Sequence, residues 1–126
     1  MEVLMEKKLS QTDIEYRLAF PTSSLWAFPM PEGETAVYFE ATDTLENEWN
    51  FRLSIRGEND RYTKPVITGD WLQFVRDKGL KVGDKLFLTR EEGVNGVRYS
   101  IRAERKIFKV WANVQYLVLA CESWTL

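Results

Sequence analysis

Histidine is absent from this 126-residue chain, and cysteine occurs only once, as Cys121. The lack of histidine excludes any site that needs an imidazole, such as a serine–histidine relay or a histidine-ligated zinc ion. A single cysteine cannot form an internal disulfide, and no His/Cys spacing suits a metal. We therefore expect a chain from a reducing compartment that holds neither a metal nor another cofactor.

Long apolar runs are also missing. The longest, YLVLAC at 116–121, is far shorter than the ~20 apolar residues of a membrane-spanning helix. The first ten residues, MEVLMEKKLS, mix acids with lysines and lack the apolar core of a signal peptide. These absences predict a soluble intracellular protein with no membrane partner.

The charges are segregated along the chain, although the net charge is only −2. That net charge alone argues against a nucleic-acid partner. Residues 21–51, however, carry six acids and no base, whereas 52–64 carry four bases and two acids, and 98–109 carry five bases and one acid. The bases of 98–109 could face a nucleic acid or pair with the acids of 21–51. We favour pairing, because a barrel brings distant strands together.

Two-residue periodicity dominates the chain. In EWNFRLSIR, from Glu48 to Arg56, apolar and polar residues alternate without exception, which predicts a strand with one buried face. Arg52 and Arg56 then lie on the same side. TAVYFEATD before it has the same period, so 35–56 is predicted to form a hairpin.

A second alternating segment covers residues 97–110. Its apolar series runs from Val97 to Ala103 and then shifts phase to Phe108 and Val110, which predicts a bulge or corner near 104–106. The preceding EEGVNG has turn residues and should join this strand to DKLFLTRE.

Residues 69–84, GDWLQFVRDKGLKVGD, interrupt the strands with a helical pattern. Trp71, Phe74 and Val75 share one helical face, and Thr68 or Asp70 could cap the start. Gly79 stands where a left-handed C-terminal residue belongs. These positions predict a self-terminating helix of about ten residues that plugs an apolar opening.

A second short helix is predicted in PTSSLWAFP, residues 21–29, which two prolines bracket. Two short helices and about seven strands indicate one compact, mainly β domain, a small barrel with covered mouths.

Four stretches in this order resemble the plant B3 DNA-binding domain: KKLSQTDIEYRLAFP, EWNFRLSIR, PVITGDWLQFVRDKGLKVGD and KLFLTRE. The resemblance covers roughly residues 7–110. It implies an open seven-stranded pseudobarrel with two short α-helices, with the domain at 1–110. The remaining 111–126 would be a C-terminal tail in which 116–120 forms either an extra strand or an apolar surface for a partner.

The resemblance also implies a function. It implies sequence-specific binding of double-stranded DNA by a non-catalytic transcriptional regulator in the plant nucleus, with two loop arms entering the major groove. The first arm is SQTDIEYR, residues 10–17, which matches the family well around Thr12, Asp13 and Arg17. The second arm, RGENDRYTK at 56–64, departs from the family's Trp-Asn-Ser pattern, so the DNA sequence recognised is left open.

The arms supply side chains that suit DNA. Arginine can donate two parallel hydrogen bonds to guanine, and asparagine or glutamine can bridge adenine, whereas lysine and threonine suit phosphate. The candidate DNA-binding residues are Lys8, Gln11, Thr12, Tyr16, Arg17, Arg52, Arg56, Asn59, Arg61, Tyr62 and Lys64.

Two alternatives differ in class. Glu58 and Asp60 in the second arm would face phosphates, so the same fold could instead serve as a protein-interaction module with weakened or lost DNA binding. Its partners would be other transcription factors or a second copy of the chain. An enzyme is the least favoured class, because no run places paired carboxylates beside a lysine as a metal-dependent nuclease needs, and no small-molecule substrate is expected.

Overall fold

The structure is a computed structural model that describes residues 1–55 and 64–117. Its elements are, in chain order, β1 Glu2–Lys8, α1 Gln11–Glu15, β2 Leu18–Ala19, a 3-10 helix at Thr22–Ala27, β3 Ala36–Thr42, β4 Glu48–Ile55, β5 Pro65–Gly69, α2 Trp71–Lys78, β6 Lys85–Gly93, β7 Gly96–Ile107 and β8 Val110–Asn113. Residues 114–117 are helical.

The strands form one curled, open sheet in the order β1-β6-β7-β3-β4-β5-β2, with β8 added to β7. Among the described residues, the pairings are antiparallel except that of β3 with β7, which joins Ala41 to Tyr99 and Thr42 to Ser100. The mainly β, open-barrel prediction is confirmed. The seven strands of the main path match the predicted number, and β8 is an eighth.

The β3–β4 hairpin forms where the periodicity predicts it. β3 pairs with β4 along its whole length, from Ala36 opposite Ser54 to Thr42 opposite Glu48. Phe39, Phe51 and Leu53 are buried on the inner face. Alternation is sufficient here because these apolar residues enter the core at every second position, while the intervening residues face outward.

The β6–β7 turn is also confirmed, with Gly93 opposite Gly96, but the predicted bulge near 104–106 is wrong. The phase shift instead reflects a chain reversal into β8, in which Ile107 pairs with Val110. Phe108 and Lys109 have φ of 50° and 71°, as a two-residue type I′ hairpin turn requires. Phe108 is therefore fully exposed at the turn and not in the core.

Helix α2 plugs the curled sheet as the sequence predicts. Trp71 and Phe74 are almost completely buried, and Gly79 ends the helix in the left-handed conformation with φ of 62°. Asp70 is the N-cap residue, but its side chain does not cap the helix. It accepts a hydrogen bond at 2.9 Å from the Asn50 N–H of β4 instead, so it joins the helix start to the sheet.

Gly69 makes the approach of α2 to the sheet possible. Its φ is +76°, and a Cβ placed there would lie 2.8 Å from the carbonyl oxygen of Asn50. Only glycine tolerates both the backbone conformation and this closeness. The chain can therefore leave β5 directly against β4 and enter α2.

The other helices differ from expectation. The predicted helix in PTSSLWAFP exists but is a 3-10 helix, and α1 lies in a segment predicted to be a loop. The predicted domain boundary at 110 falls on the first residue of β8. Of the segment 116–120 proposed as a strand, residues 116 and 117 are helical, and 118–120 lie outside the described residues.

The bases of 98–109 do not pair with the acids of 21–51 in the described ranges. Arg105 pairs with Asp84 at 2.8 Å, and Arg102 with Glu104 at 3.3 Å. The reason is sheet order, because β6 and β8 are the main neighbours of β7, whereas β3 touches it at only two positions.

Candidate nucleic-acid interface

The two arms are rooted side by side. The first arm ends at β2 and the second at β5, and these strands pair antiparallel, with Leu18 opposite Ile67. The Phe20 N–H then donates to the Pro65 carbonyl at 3.0 Å. The pairing fixes the ends of both arms at the same edge of the sheet.

Much of the first arm is the helix α1, which a capping box begins. The Asp13 N–H donates to Ser10 Oγ at 3.3 Å, and the Ser10 N–H donates to Asp13 Oδ2 at 2.8 Å. The sequence contains a signal for this helix, the Ser-x-x-Asp spacing of residues 10–13, which resembles a capping box. Sequence reasoning missed it because the helix has only five residues.

The buried carboxylate of Asp13 ties the first arm to the rest of the fold. It lies 2.9 Å from the Lys7 ammonium of β1 and accepts from the Ala19 N–H at 3.2 Å. Its backbone carbonyl accepts from the Trp71 indole N–H at 2.7 Å. The first arm is thus held by β1, β2 and α2 together.

Burial alone would raise the pKa of Asp13. The hydrogen bonds from the Ser10 N–H, the Lys7 ammonium and the Ala19 N–H outweigh that effect, so the pKa lies below its ordinary value. The carboxylate is therefore ionised at neutral pH, and Lys7 is engaged with it. Lys7 is consequently less available to an external phosphate than a lysine without such a partner.

We expect Asp13→Asn to lower the free energy of unfolding by about 1–3 kcal/mol at pH 7, because the buried charge-assisted hydrogen bonds are lost. A lowered native pKa stabilises the fold above the unfolded pKa of about 4, and this stabilisation disappears as the pH falls through the native pKa. Urea unfolding at pH 7, 5 and 3 should therefore show the wild-type advantage shrinking in acid. Glu91→Gln, at an exposed position on β6, is the control. A difference in unfolding free energy between wild type and Asp13→Asn that does not change with pH would contradict the prediction.

Three of the candidate DNA-binding residues line one cleft of about 420 Å³ between the arm roots: Thr12, Arg17 and Lys64. Thr12 and Lys64 are exposed, and Arg17 is half-buried. Within residues 1–55 and 64–117, neither Arg17 nor Lys64 has an ion-pair partner. Asp13 and Lys7 also line the cleft but pair with each other, so Arg17 and Lys64 are the two cations of the cleft outside an ion pair among the described residues.

Gln11 and Tyr16 stand at the two ends of α1. The Gln11 side-chain amide donates to the Glu15 carboxylate, so one hydrogen-bonding group is already engaged on the exposed face of the helix. Tyr16 is 68% exposed at the C-terminal cap. Both side chains are accessible, and only Tyr16 has its polar group free of a hydrogen bond in the part of the chain described.

Lys8 and Arg52 lie elsewhere. The Lys8 ammonium is 5.8 Å from the ring centroid of Trp111 in β8, and Lys85 lies over the same ring at 4.2 Å. Arg52, on β4, lines a separate depression with Tyr38. The other four candidates, Arg56, Asn59, Arg61 and Tyr62, lie outside the described residues.

No group of three or more acidic, cysteine or histidine residues could hold a metal ion among the residues described. None of the helices in 1–55 and 64–117 has the length and apolar character that a membrane crossing needs.

Comparison with known sequences finds plant relatives. The chain is 30% identical over 98 residues to the AP2/ERF and B3 domain-containing transcription factor RAV1 of Arabidopsis thaliana, and 31% identical over 105 residues to the AP2/ERF and B3 domain-containing transcription repressor TEM1 of the same plant. Each match uses 73% of this chain and 28% of the relative, so the chain spans less than a third of either. A B3 domain-containing protein of Arabidopsis thaliana is 28% identical over 109 residues, which are 79% of this chain and 87% of that protein. No family model matches the sequence.

Two solved structures have a similar fold. The Arabidopsis FUS3–DNA complex has a TM-score of 0.68 and 21% identity, covering 82% of this chain and 97% of that one. The Arabidopsis thaliana transcription factor LEC2–DNA complex has a TM-score of 0.63 and 22% identity, covering 79% and 91%. At these identities, the likeness establishes the fold.

Proposed function

The chain has a B3-type fold and is similar in sequence to B3 domain-containing plant proteins, and from this premise we propose that it binds double-stranded DNA sequence-specifically. The relatives are named as transcription factors or repressors, and the structural neighbours are complexes with DNA. We extend the proposal to transcriptional regulation in the nucleus, without catalysis.

One observation carries the proposal: Arg17 and Lys64, which end the two arms, line the same cleft without ion-pair partners among the residues described. A duplex has a phosphate every few ångströms along each strand, so neighbouring free cations at arm roots suit its backbone. By contrast, three other cations each form an ion pair with a buried aspartate of the fold: Lys7, Lys78 and Arg105.

In this proposal, some arm residues contact bases and others contact phosphates. Arg17 recognises guanine in the major groove by two parallel hydrogen bonds. Gln11 exchanges its hydrogen bond to Glu15 for hydrogen bonds to an adenine. Lys64 and Thr12 contact phosphates and set the register. Arg56, Asn59, Arg61 and Tyr62 remain candidates on sequence grounds, and Lys8 and Arg52 would contribute only to a broader surface.

We expect the chain to retard random duplexes at micromolar protein and low salt, with the logarithm of affinity falling by about 0.9 per phosphate contact for each unit of log salt. On a site selected from a randomised duplex library, Arg17→Ala should weaken binding by about 5- to 150-fold, the value of one bidentate base contact. Lys64→Ala should weaken all sequences alike and reduce the salt slope by about 0.9.

The matched control is Arg98→Ala, which removes the same charge from an exposed position on β7, away from the cleft. Its affinity should stay within about twofold of wild type. Absence of retardation at low salt would overturn the proposal, as would equal losses for Arg17→Ala and Arg98→Ala.

A protein-interaction module of the same fold is the second candidate. It is favoured by the engagement of Gln11 with Glu15, which places an acid on the exposed face of the first arm. A monomer that binds duplex DNA tightly would discard this alternative.

A further inference from the structure

We infer that the groove between β3 and β7 binds an extended basic segment of a partner protein, which adds a strand to the open edge. The groove has a volume of about 820 Å³. It lies where the two parallel strands diverge, since only Ala41 and Thr42 of β3 reach β7. The groove shares no lining residue with the cleft of Thr12, Arg17 and Lys64.

The open edge offers backbone hydrogen-bonding groups. β3 pairs with β4 from Ala36 to Thr42, but in the described chain its other side has no strand partner over residues 36–40. Alternate residues of a strand direct their N–H and C=O groups to the same side, so about two or three residues present unpaired groups to the groove. An added strand would satisfy them, as in other cases of strand addition to a sheet edge.

The floor of the groove is aromatic and held in place. Phe28 lies against Phe39 with ring centroids 4.5 Å apart and stacks on Tyr99 at 4.8 Å. The Tyr99 hydroxyl donates to the Ala27 carbonyl at 3.0 Å. Above this floor, Tyr38 is 67% exposed and Val97 is 46% exposed. Apolar side chains at alternate positions of a bound strand would contact these groups.

The charge of the groove identifies the chemistry of the occupant. Glu40, Glu46 and Glu48 line it, all exposed, and no ion pair engages them within the described ranges. Arg98 is the one base among the lining residues. An excess of acids around an open strand edge favours a basic segment, because complementary charge guides encounter and rejects acidic competitors.

The acids of the groove lie toward the end of β4 that is remote from the second arm. Glu48 begins β4, whereas the second arm follows Ile55 at its other end. Glu48 lies about 23 Å along the strand from Ile55, and Glu40, opposite Asn50, lies about 16 Å from it; both distances exceed the screening length of ~8 Å at physiological salt. The acids of the groove therefore repel DNA little, although a strand bound along residues 36–40 would extend to Ala36, which lies opposite Ser54 near that end of β4.

The test uses a nine-residue peptide that alternates lysine and valine, titrated into the full chain and followed by amide NMR shifts and fluorescence anisotropy. We expect saturable binding with the largest shifts at residues 36–40 and 96–99. A peptide with glutamate for lysine should not bind, nor should one with proline for the central valine, since proline cannot donate to the ladder.

The double variant with Glu40→Gln and Glu48→Gln should weaken peptide binding about fivefold. The control double variant, with Glu32→Gln and Glu91→Gln, removes two exposed charges elsewhere and should leave peptide binding unchanged. Both double variants should bind duplex DNA as the wild type does. The inference is overturned by no binding at millimolar peptide, by equal binding of the proline peptide, or by equal effects of the two double variants. It is also overturned if the groove amides shift with protein concentration alone, which would assign the groove to a second copy.

Discussion

Trp71→Ala is expected to lower the free energy of unfolding by about 3–5 kcal/mol, the usual cost of truncating a buried tryptophan. Trp71 has no exposed surface. It stacks on Phe74 with ring centroids 5.8 Å apart, and its indole N–H donates to the Asp13 carbonyl. The substitution opens a cavity between α2 and the sheet and leaves a buried carbonyl without its donor. Urea unfolding at pH 7 measures the loss.

Trp71→Phe separates the two causes. It keeps most of the apolar volume but removes the N–H, so the loss should be about 1–3 kcal/mol, the cost of an unsatisfied buried acceptor. If α1 depends on this bond for its position, Trp71→Phe should also weaken DNA binding under conditions where the chain stays folded. A loss below 1 kcal/mol for Trp71→Ala would contradict the role of α2 as the plug of the sheet.

Lys78→Met should cost about 3–5 kcal/mol, because it leaves the buried carboxylate of Asp43 without its cation. The Lys78 ammonium lies 2.7 Å from Asp43 Oδ2, and both side chains are buried. Asp43 also accepts from the Trp49 indole N–H and the Asn47 backbone N–H, each at 2.9 Å. Lys78 further donates to Gln115, so the same substitution also removes a hydrogen bond between α2 and the helical residues 114–117.

The pH dependence of this loss has a definite sign. Burial raises the pKa of Asp43, but the hydrogen bonds from Lys78, Trp49 and Asn47 lower it further, so the native pKa lies below the ordinary value. The stabilisation by the pair is complete above the unfolded pKa of about 4 and disappears as the pH falls through the native pKa. The wild type should therefore lose its advantage over Lys78→Met in acid.

The double variant Asp43→Asn with Lys78→Met is the control, because it removes both charges. It should recover much of the loss at pH 7, since a neutral pair has no uncompensated charge. Urea unfolding of the wild type, the single variants Asp43→Asn and Lys78→Met, and the double variant gives the coupling free energy of the pair. A coupling near zero would mean that the two charges are solvated independently, which contradicts their burial.

Local pattern was enough for several elements. The alternation in EWNFRLSIR predicts β4 and its buried face, and the turn residues of EEGVNG predict the β6–β7 hairpin. The spacing of Trp71, Phe74 and Val75, ended by Gly79, predicts α2. In each case the signal is strong because one face of a regular element is buried over a full repeat.

Other elements depend on contacts between distant residues. Helix α1 has five residues, too few to form by propensity; Lys7, Ala19 and Trp71 hold it from three other elements. The turn at Phe108 and Lys109 has none of the asparagine or glycine that usually signals a type I′ turn. The pairing of β7 with β8 imposes it.

The sequence by itself determined the β3–β4 and β6–β7 hairpins and the helix that closes the sheet, and its resemblance to the B3 domain indicated the open barrel. Only the tertiary structure decided that Arg17 and Lys64 share a cleft, that Lys8 lies over Trp111, and that Arg105 pairs with Asp84. The physical reason is that periodicity along a chain records which side of each element is buried. The neighbours of a charge depend instead on the order in which strands are placed in the sheet.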